Sequence, residues 1–395
     1  MNNIITCGLF NTIQKNVKIA LFSTTELALQ LKDFIQKYRP DIEITCFIDS
    51  FKASEVIDGL NVYHPNNIPE NIDLIVIASL SNSKLLASIL EENNYKNYIL
   101  ISDELWAIIK QYNSNTEYFK FVPPGHYYSP IPTEEESKKA VENAKKDIDV
   151  DKNISIDYNI NQQLENLHFI EKVKDKFIFT EEKIPSNYYY YSGNNRMYRD
   201  KCGLTLMGMI LKYNPKRIIE VGSGFSTALM YDLNRLYFNN EIKISSIEPY
   251  PCRLKALFKE DYKKLDLQEI NLQEVPLEYF SSLEENDILF IDSSHVSKAN
   301  SDVNYIFFKI LPILKKGVII HFHDIFYPFE YPERWHNEKR HWNELYLMRA
   351  FLSYNKAFSI EFFGHYMTHY IHQKNIKSSI GNRLGVSLYL KKLVD

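Results

Sequence analysis

Cysteine is scarce in this 395-residue chain: Cys7, Cys46, Cys202 and Cys252 are scattered, with no C-x-x-C pair. That argues against a disulfide scaffold and a cysteine zinc site, and it fits a reducing compartment. No apolar run approaches the ~18 residues that a membrane span needs. The start, MNNIITCGLF, lacks the basic segment and long apolar core of a secretory leader, so the expected location is cytoplasmic. Basic charge is not in excess either. Lys and Arg number 46 against 50 Asp and Glu, so no global field draws the protein to nucleic acid or to an anionic membrane. What is present is ordinary for a folded chain: 45% hydrophobic and 24% charged residues, with length for two or three domains.

Apolar strand runs alternate with helical patterns at both ends of the chain. Near the start, VKIALF (17–22), ITCFID (44–49), DLIVIAS (73–79) and NYILI (97–101) read as buried strands, with helices from Thr24 and Asn82 between them. Continuous apolar strands of this kind form a parallel sheet covered on both faces. Residues 1–112 therefore read as a small N-terminal Rossmann-like α/β domain. Residues 113–195 hold FVPPGHYYSPIP, a charged helix over 133–146 and the aromatic run NYYYYSGNN. Its prolines rule out helix there and its aromatics rule out a free tether, so it reads as a connector that packs on the next domain. Residues 196–395 alternate again: RIIEVG (217–222), KISSIEP (243–249), DILFIDSSH (287–295) and GVIIHFHD (317–324) are strands. SIEFFG (359–364) and GVSLYLKK (385–392) form a closing pair.

The sharpest motif is Glu220-Val-Gly222-Ser223-Gly224-Phe-Ser226, where a buried strand meets a helix. Its glycines let backbone amides approach a ligand, at the strand end where open α/β sheets bind one. It has two glycines, not the three of the dinucleotide fingerprint, which suits one nucleoside with a charged amino-acid tail. Glu248 ends the next strand, where an acid can accept from both ribose hydroxyls. Asp292 and His295 end the third strand, and His323 and Asp324 end the fourth, so successive strand ends present polar groups on one rim.

These pieces resemble class I S-adenosylmethionine-dependent methyltransferases: E-V-G-S-G-F-S, Glu248, F-I-D-S-S-H and G-V-I-I-H-F-H-D carry the likeness. P-P-G-H-Y-Y-S-P-I-P, H-W-N-E-L-Y-L-M-R-A-F-L and the terminal G-V-S-L-Y-L-K-K resemble a bacterial subgroup. The fold implied is α/β: a Rossmann-like class I methyltransferase domain, its mostly parallel sheet carrying an antiparallel last strand, plus the smaller N-terminal Rossmann-like domain. The activity implied is methylation, a transferase reaction using S-adenosyl-L-methionine. Glu220, Gly222, Ser223, Gly224, Ser226, Glu248 and Asp292 are the expected cofactor-binding residues. By resemblance to metal-dependent O-methyltransferases, Asp292 and Asp324 are the expected metal ligands, for Mg²⁺, although Ile325 stands where catechol-type enzymes carry an amide. By resemblance to sugar O-methyltransferases with Asp-x-x-His, His295 is the expected general base, because an imidazole titrates near neutral pH. Asp292 and His323 complete the expected catalytic set. Of His321 and His323, which share strand parity, one is expected to be a packed core histidine.

The expected acceptor is a small-molecule hydroxyl, with a sugar or nucleotide sugar preferred. The insertion with Trp335, His341, Trp342, Asn343 and Glu344 reads as its cap. His126 to Tyr128 read as an aromatic staple or a pocket cover, and Tyr188 to Tyr191 as connector packing. In the N-terminal domain, Asp49 stands where a ribose-binding acid would, but the first turn, Phe22-Ser-Thr-Thr-Glu26, has no glycine and puts a carboxylate where phosphate would sit. A structural or dimerising module is expected, making a homo-oligomer. The competing functions are a non-catalytic cofactor-binding scaffold and a nicotinamide-dependent sugar-modifying enzyme.

Overall fold

The computed structural model describes residues 4–5, 13–79, 82–102, 105–106, 109, 125–150, 155–180, 189–195, 197–381 and 383–395. The expected boundary at 112/113 lies outside the described residues, as do Cys7, Phe121, Tyr188 and Arg196. The chain divides into two compact units, Met1–Pro123 and Pro124–Asp395.

The first unit holds a seven-stranded sheet in the order β1-β7-β6-β2-β3-β5-β4. These strands are β1 (Ile4–Ile5), β2 (Lys18–Phe22), β3 (Glu43–Ile48), β4 (Val56–Ile57), β5 (Leu60–Tyr63), β6 (Leu74–Ile77) and β7 (Tyr98–Ile101). All neighbours are parallel except the short β4–β5 pair. Alternate residues of β2 and β3 enter different cores, Leu21 and Phe47 on one face and Phe22 and Ile48 on the other. A strand buried on both faces reads as the continuous apolar run seen in the sequence.

The second unit holds β8 (Arg217–Val221), β9 (Lys243–Ile247), β10 (Asp266–Gln268), β11 (Ile288–Ile291), β12 (Ile319–Phe322), β13 (Phe358–Phe363) and β14 (Leu388–Lys392). Their order is β10-β9-β8-β11-β12-β14-β13. The first five are parallel; β14 runs antiparallel to both β12 and β13. This is the expected mostly parallel sheet with a reversed last strand. The order turns back between β8 and β11, the switch point at whose carboxyl strand ends an open α/β sheet binds its ligand.

Two polar devices hold the sheet. Asp287, 3% exposed, accepts from Lys216 N–H and Arg217 N–H with one oxygen and from Glu284 N–H with the other. It thereby ties the starts of β8 and β11 together. At the far edge, helix Ile160–Val173 lies along β13. Asn166 donates to Glu361 O at 2.7 Å, and Gln163 accepts from Phe363 N–H at 2.8 Å. Both side chains are fully buried, so an edge strand that would otherwise offer free backbone groups is closed. The sequence pattern does not announce this helix, because its inward face carries Gln163 and Asn166, which break the apolar period.

Asp287→Ala leaves three backbone amides without their partner. It is expected to destabilise the protein by about 3 kcal/mol, since hydrogen bonds to charged groups are worth roughly 1.5–3 kcal/mol each and do not add fully. Urea unfolding measures this, and a loss below about 1 kcal/mol would contradict the anchoring role.

Candidate active site

The loop after β8 is built on a buried carboxylate. Glu220 is fully buried and accepts from Ser226 Oγ at 2.6 Å, Thr227 Oγ1 at 2.6 Å and Ser246 Oγ at 2.8 Å. Thr227 Oγ1 in turn accepts from Gly224 N–H at 3.0 Å, at the start of helix Phe225–Tyr237. The Glu220 carboxylate and the Ser226 hydroxyl, both expected at the cofactor, are turned to one another beneath the loop and set its shape.

Gly222, at φ +83°, is obligatory for a different reason from ligand access. A Cβ built there would lie 1.9 Å from the Asp292 carbonyl oxygen. The glycine lets the β8 loop touch the β11 loop, which places Asp292 beside the motif. Above it, Ser223 N–H donates to Glu248 Oε2 at 3.1 Å, and Tyr250 N–H donates to Glu248 Oε1 at 2.8 Å. The Ser223 hydroxyl is buried with no hydrogen-bond partner among the described residues. Gly224 lies alongside Arg253. A half-buried acid, an unsatisfied hydroxyl and a close-approach glycine therefore meet on one rim, and these groups fit the polar end and ribose of S-adenosylmethionine.

Across the crevice stands a compact charge cluster. Asp292 Oδ1 is 3.3 Å from His295 Nε2 and 3.3 Å from His323 Nδ1. Asp324 lies 3.9 Å from His295 Nε2 and 3.6 Å from His323 Nδ1. His295 and His323 are buried, whereas the two aspartates remain partly open to the crevice. His295 and Asp324 both sit at positive φ, +59° and +58°, so each leaves its strand through a tight left-handed turn that folds the side chain back. Burial works against the charge on Asp292, but His323 and His295 outweigh it and hold the carboxyl well below its usual range. Burial also works against a charged His295, yet its bonds to Asp292 and Glu344 raise it to about 10. His321 differs from its neighbour: fully buried, it packs between Phe290 and Tyr389, and burial pushes it well below the ordinary imidazole range. It is the core histidine of the pair.

Asp292, His295 and Asp324 each offer one ligand atom, all within 4.8 Å of one another. Two carboxylates that keep access to solvent are a fitting start for a divalent cation that retains waters. The structure also brings in a residue whose role the sequence did not reveal: Glu344 Oε2 lies 2.8 Å from His295 Nδ1. The Trp342 ring rests 4.5 Å from the His295 ring, and the Arg340 guanidinium lies over Trp342 and the adjoining Trp335. The H-W-N-E segment was legible as a cap, but nothing in its spacing placed it on His295. His126 and Tyr127 lie elsewhere, lining a cavity of about 280 Å³ with His336 and Tyr346 rather than the Asp292 cluster. Tyr190 and Tyr191 pack, their backbone amides bonded to Asp232.

Residues 219–325 match the family model described as a methyltransferase domain. An uncharacterized protein of Archaeoglobus fulgidus is 36% identical over 172 residues, covering 43% of this chain and 76% of that protein. Residues 219–325 are a methyltransferase domain, and the sheet around them is that of a class I S-adenosylmethionine-dependent methyltransferase. Among solved structures, the methyltransferase is similar to apo CmcI-N160, at 15% identity and TM-score 0.30, over 50% of this chain and 72% of that one. It is also similar to the CurJ carbon methyltransferase, at 9% identity and TM-score 0.30, over 66% and 71%. Its cofactor is S-adenosylmethionine. Among the described residues of the methyltransferase, no helix is long and apolar enough to cross a membrane.

Burial raises the Glu220 carboxyl to about 7, with the three hydroxyls opposing the rise. The unfolded group ionises near 4.5, so between those values the folded state holds more protons than the unfolded one. Stability from this group is complete below about pH 4.5 and is lost as pH rises through 7. Glu220→Gln removes the ionisation. Its melting temperature relative to wild type is expected to be higher at pH 8 than at pH 5, and a difference independent of pH would contradict the buried, raised carboxyl.

Proposed function

We propose that the methyltransferase transfers the sulfonium methyl to a hydroxyl of a small, sugar-containing acceptor, with the β8 and β9 strand ends holding the cofactor. In this reading Glu248 accepts from the ribose hydroxyls, and the Ser223–Gly224 turn receives the amino-acid tail. The observation that carries the reading is the convergence of Asp292, His295 and Asp324 directly beside that loop, with Gly222 and Asp292 in backbone contact. An alcohol needs its proton removed as the new bond forms, and an imidazole between two carboxylates supplies a group to receive it.

Asp292 and Asp324 are the residues that would hold a divalent cation, and Mg²⁺ suits two carboxylates with remaining waters. When bound, the ion would supply charge that stabilises a developing alkoxide. The chain's own groups do the rest. Asp292 and Asp324 fix the approach of the hydroxyl, Trp342 and the insertion exclude water, and His295 Nε2 receives the proton. With three carboxylates around it, His295 on its own is held as the imidazolium, so its use as a base depends on positive charge between the aspartates. That dependence links the base and metal expectations, which otherwise compete for Asp292. Trp335 and Tyr331 are buried and back the half-buried Trp342, the ring of this group that can cover the apolar face of a pyranose, which supports a sugar-containing acceptor.

For the N-terminal unit we propose a structural or dimerising part. Asp49 is already engaged by Thr24 Oγ1 at 2.7 Å and by the Phe51 and Lys52 amides, and Glu26 opens the first helix.

The test offers a panel of monosaccharides, nucleotide sugars and phenols with methyl-labelled S-adenosylmethionine, with Mg²⁺ or with EDTA. O-methyl products that vanish in EDTA and return with Mg²⁺ are expected, and Asp324→Asn should require more Mg²⁺ for the same rate. Products methylated only on carbon or nitrogen would overturn the acceptor class, and full turnover in EDTA would overturn the cation.

A further inference from the structure

The insertion does more than cover the crevice, because its first helical turn is fastened to one residue. The backbone amides of Asn343 and Glu344 both donate to the His295 carbonyl, at 3.1 Å each. The Asn343 side chain accepts from Ser297 N–H at 2.6 Å and donates to Ser297 O at 3.1 Å. The Trp342 ring lies over the imidazole. Finally, the Glu344 carboxylate, 1% exposed, meets His295 Nδ1 at 2.8 Å in a site closed to solvent. A buried carboxylate bonded to one ring nitrogen fixes which nitrogen faces the other way.

We propose that Glu344 is a positioning residue for His295: by accepting the Nδ1–H it fixes the ring so that Nε2 is the nitrogen presented to Asp292 and Asp324. The proposal rests on the reading of His295 as the group that takes the acceptor proton. Glu344 stands at the first position of helix Glu344–Leu352, where the helix dipole favours a negative charge and the helix itself anchors the carboxylate. Without it the imidazole can turn about its χ2 bond, and Nδ1 can replace Nε2 at the aspartates. The same contact explains why an insertion after the last parallel strand reaches back to the β11 loop: it supplies the partner that the loop itself lacks.

The experiment is nitrogen-detected NMR of the full chain labelled with ¹⁵N-histidine, with S-adenosylhomocysteine calorimetry as the check that each variant folds. Wild type is expected to show a far-downfield Nδ1–H resonance, assigned to His295 by its loss in His295→Gln. In Glu344→Ala it should disappear. In Glu344→Gln, whose amide oxygen still accepts, it should persist but move upfield because the acceptor is neutral. S-adenosylhomocysteine affinity should be unchanged in both variants, since neither touches the proposed cofactor rim. Absence of the resonance in wild type, or its survival in Glu344→Ala, would overturn the proposal. The spectrum needs no acceptor and no cation, so its failure is distinct from a failure of the O-methylation reading, which the labelled products decide.

Discussion

The site depends on a backbone contact that only glycine allows. Gly222 packs so closely on the Asp292 carbonyl that a single added carbon would sit 1.9 Å from it. Around that contact β8 and β11 leave the sheet side by side at the point where the strand order reverses. The glycine motif and the Asp292 cluster are therefore one structure, not two neighbouring ones. Asp287 fixes the amino ends of the same two strands, so both ends of the pair are pinned by short polar contacts. The central strands contribute almost wholly apolar side chains between these points, which is what lets the rim carry so much charge.

Charge balance is the second constraint. Asp292, Asp324 and Glu344 surround His295, while Asp292 and Asp324 also flank His323. Burying like charges this close is costly unless counter-charges accompany them. The imidazoles supply that charge, and the partial exposure of the two aspartates leaves room for more of it at the open side. Glu220 solves the opposite problem. It is buried without a cation, and burial drives its carboxyl towards the neutral form against the three hydroxyls that favour the charged one.

Much of this was legible in the sequence, and the limits have physical causes. Strands such as RIIEV and DILFI announce themselves because they are buried on both faces. The rim residues followed from position alone: Glu248, Asp292 and Asp324 each stand just past an apolar run. A motif gives spacing, not the direction in which a side chain turns, so the bond between Ser226 and Glu220 beneath the loop was not legible. Helix Ile160–Val173 was missed because Gln163 and Asn166 face inward to serve the backbone of β13. Glu344 could be placed near the site but not on His295, since the pairing crosses 49 positions and arises from how the insertion folds back. Long-range polar pairs of this kind leave no periodic signal.

The proposed cofactor rim and acceptor centre are adjoining but separable sets of residues. Calorimetry with S-adenosylhomocysteine on Glu248→Ala and Asp324→Asn tests this separation. Glu248→Ala is expected to weaken binding by about tenfold or more, the worth of a lost hydrogen bond to a charged group, while Asp324→Asn binds as wild type does. Equal affinity in Glu248→Ala and wild type, with both variants folded, would place the cofactor elsewhere and contradict it.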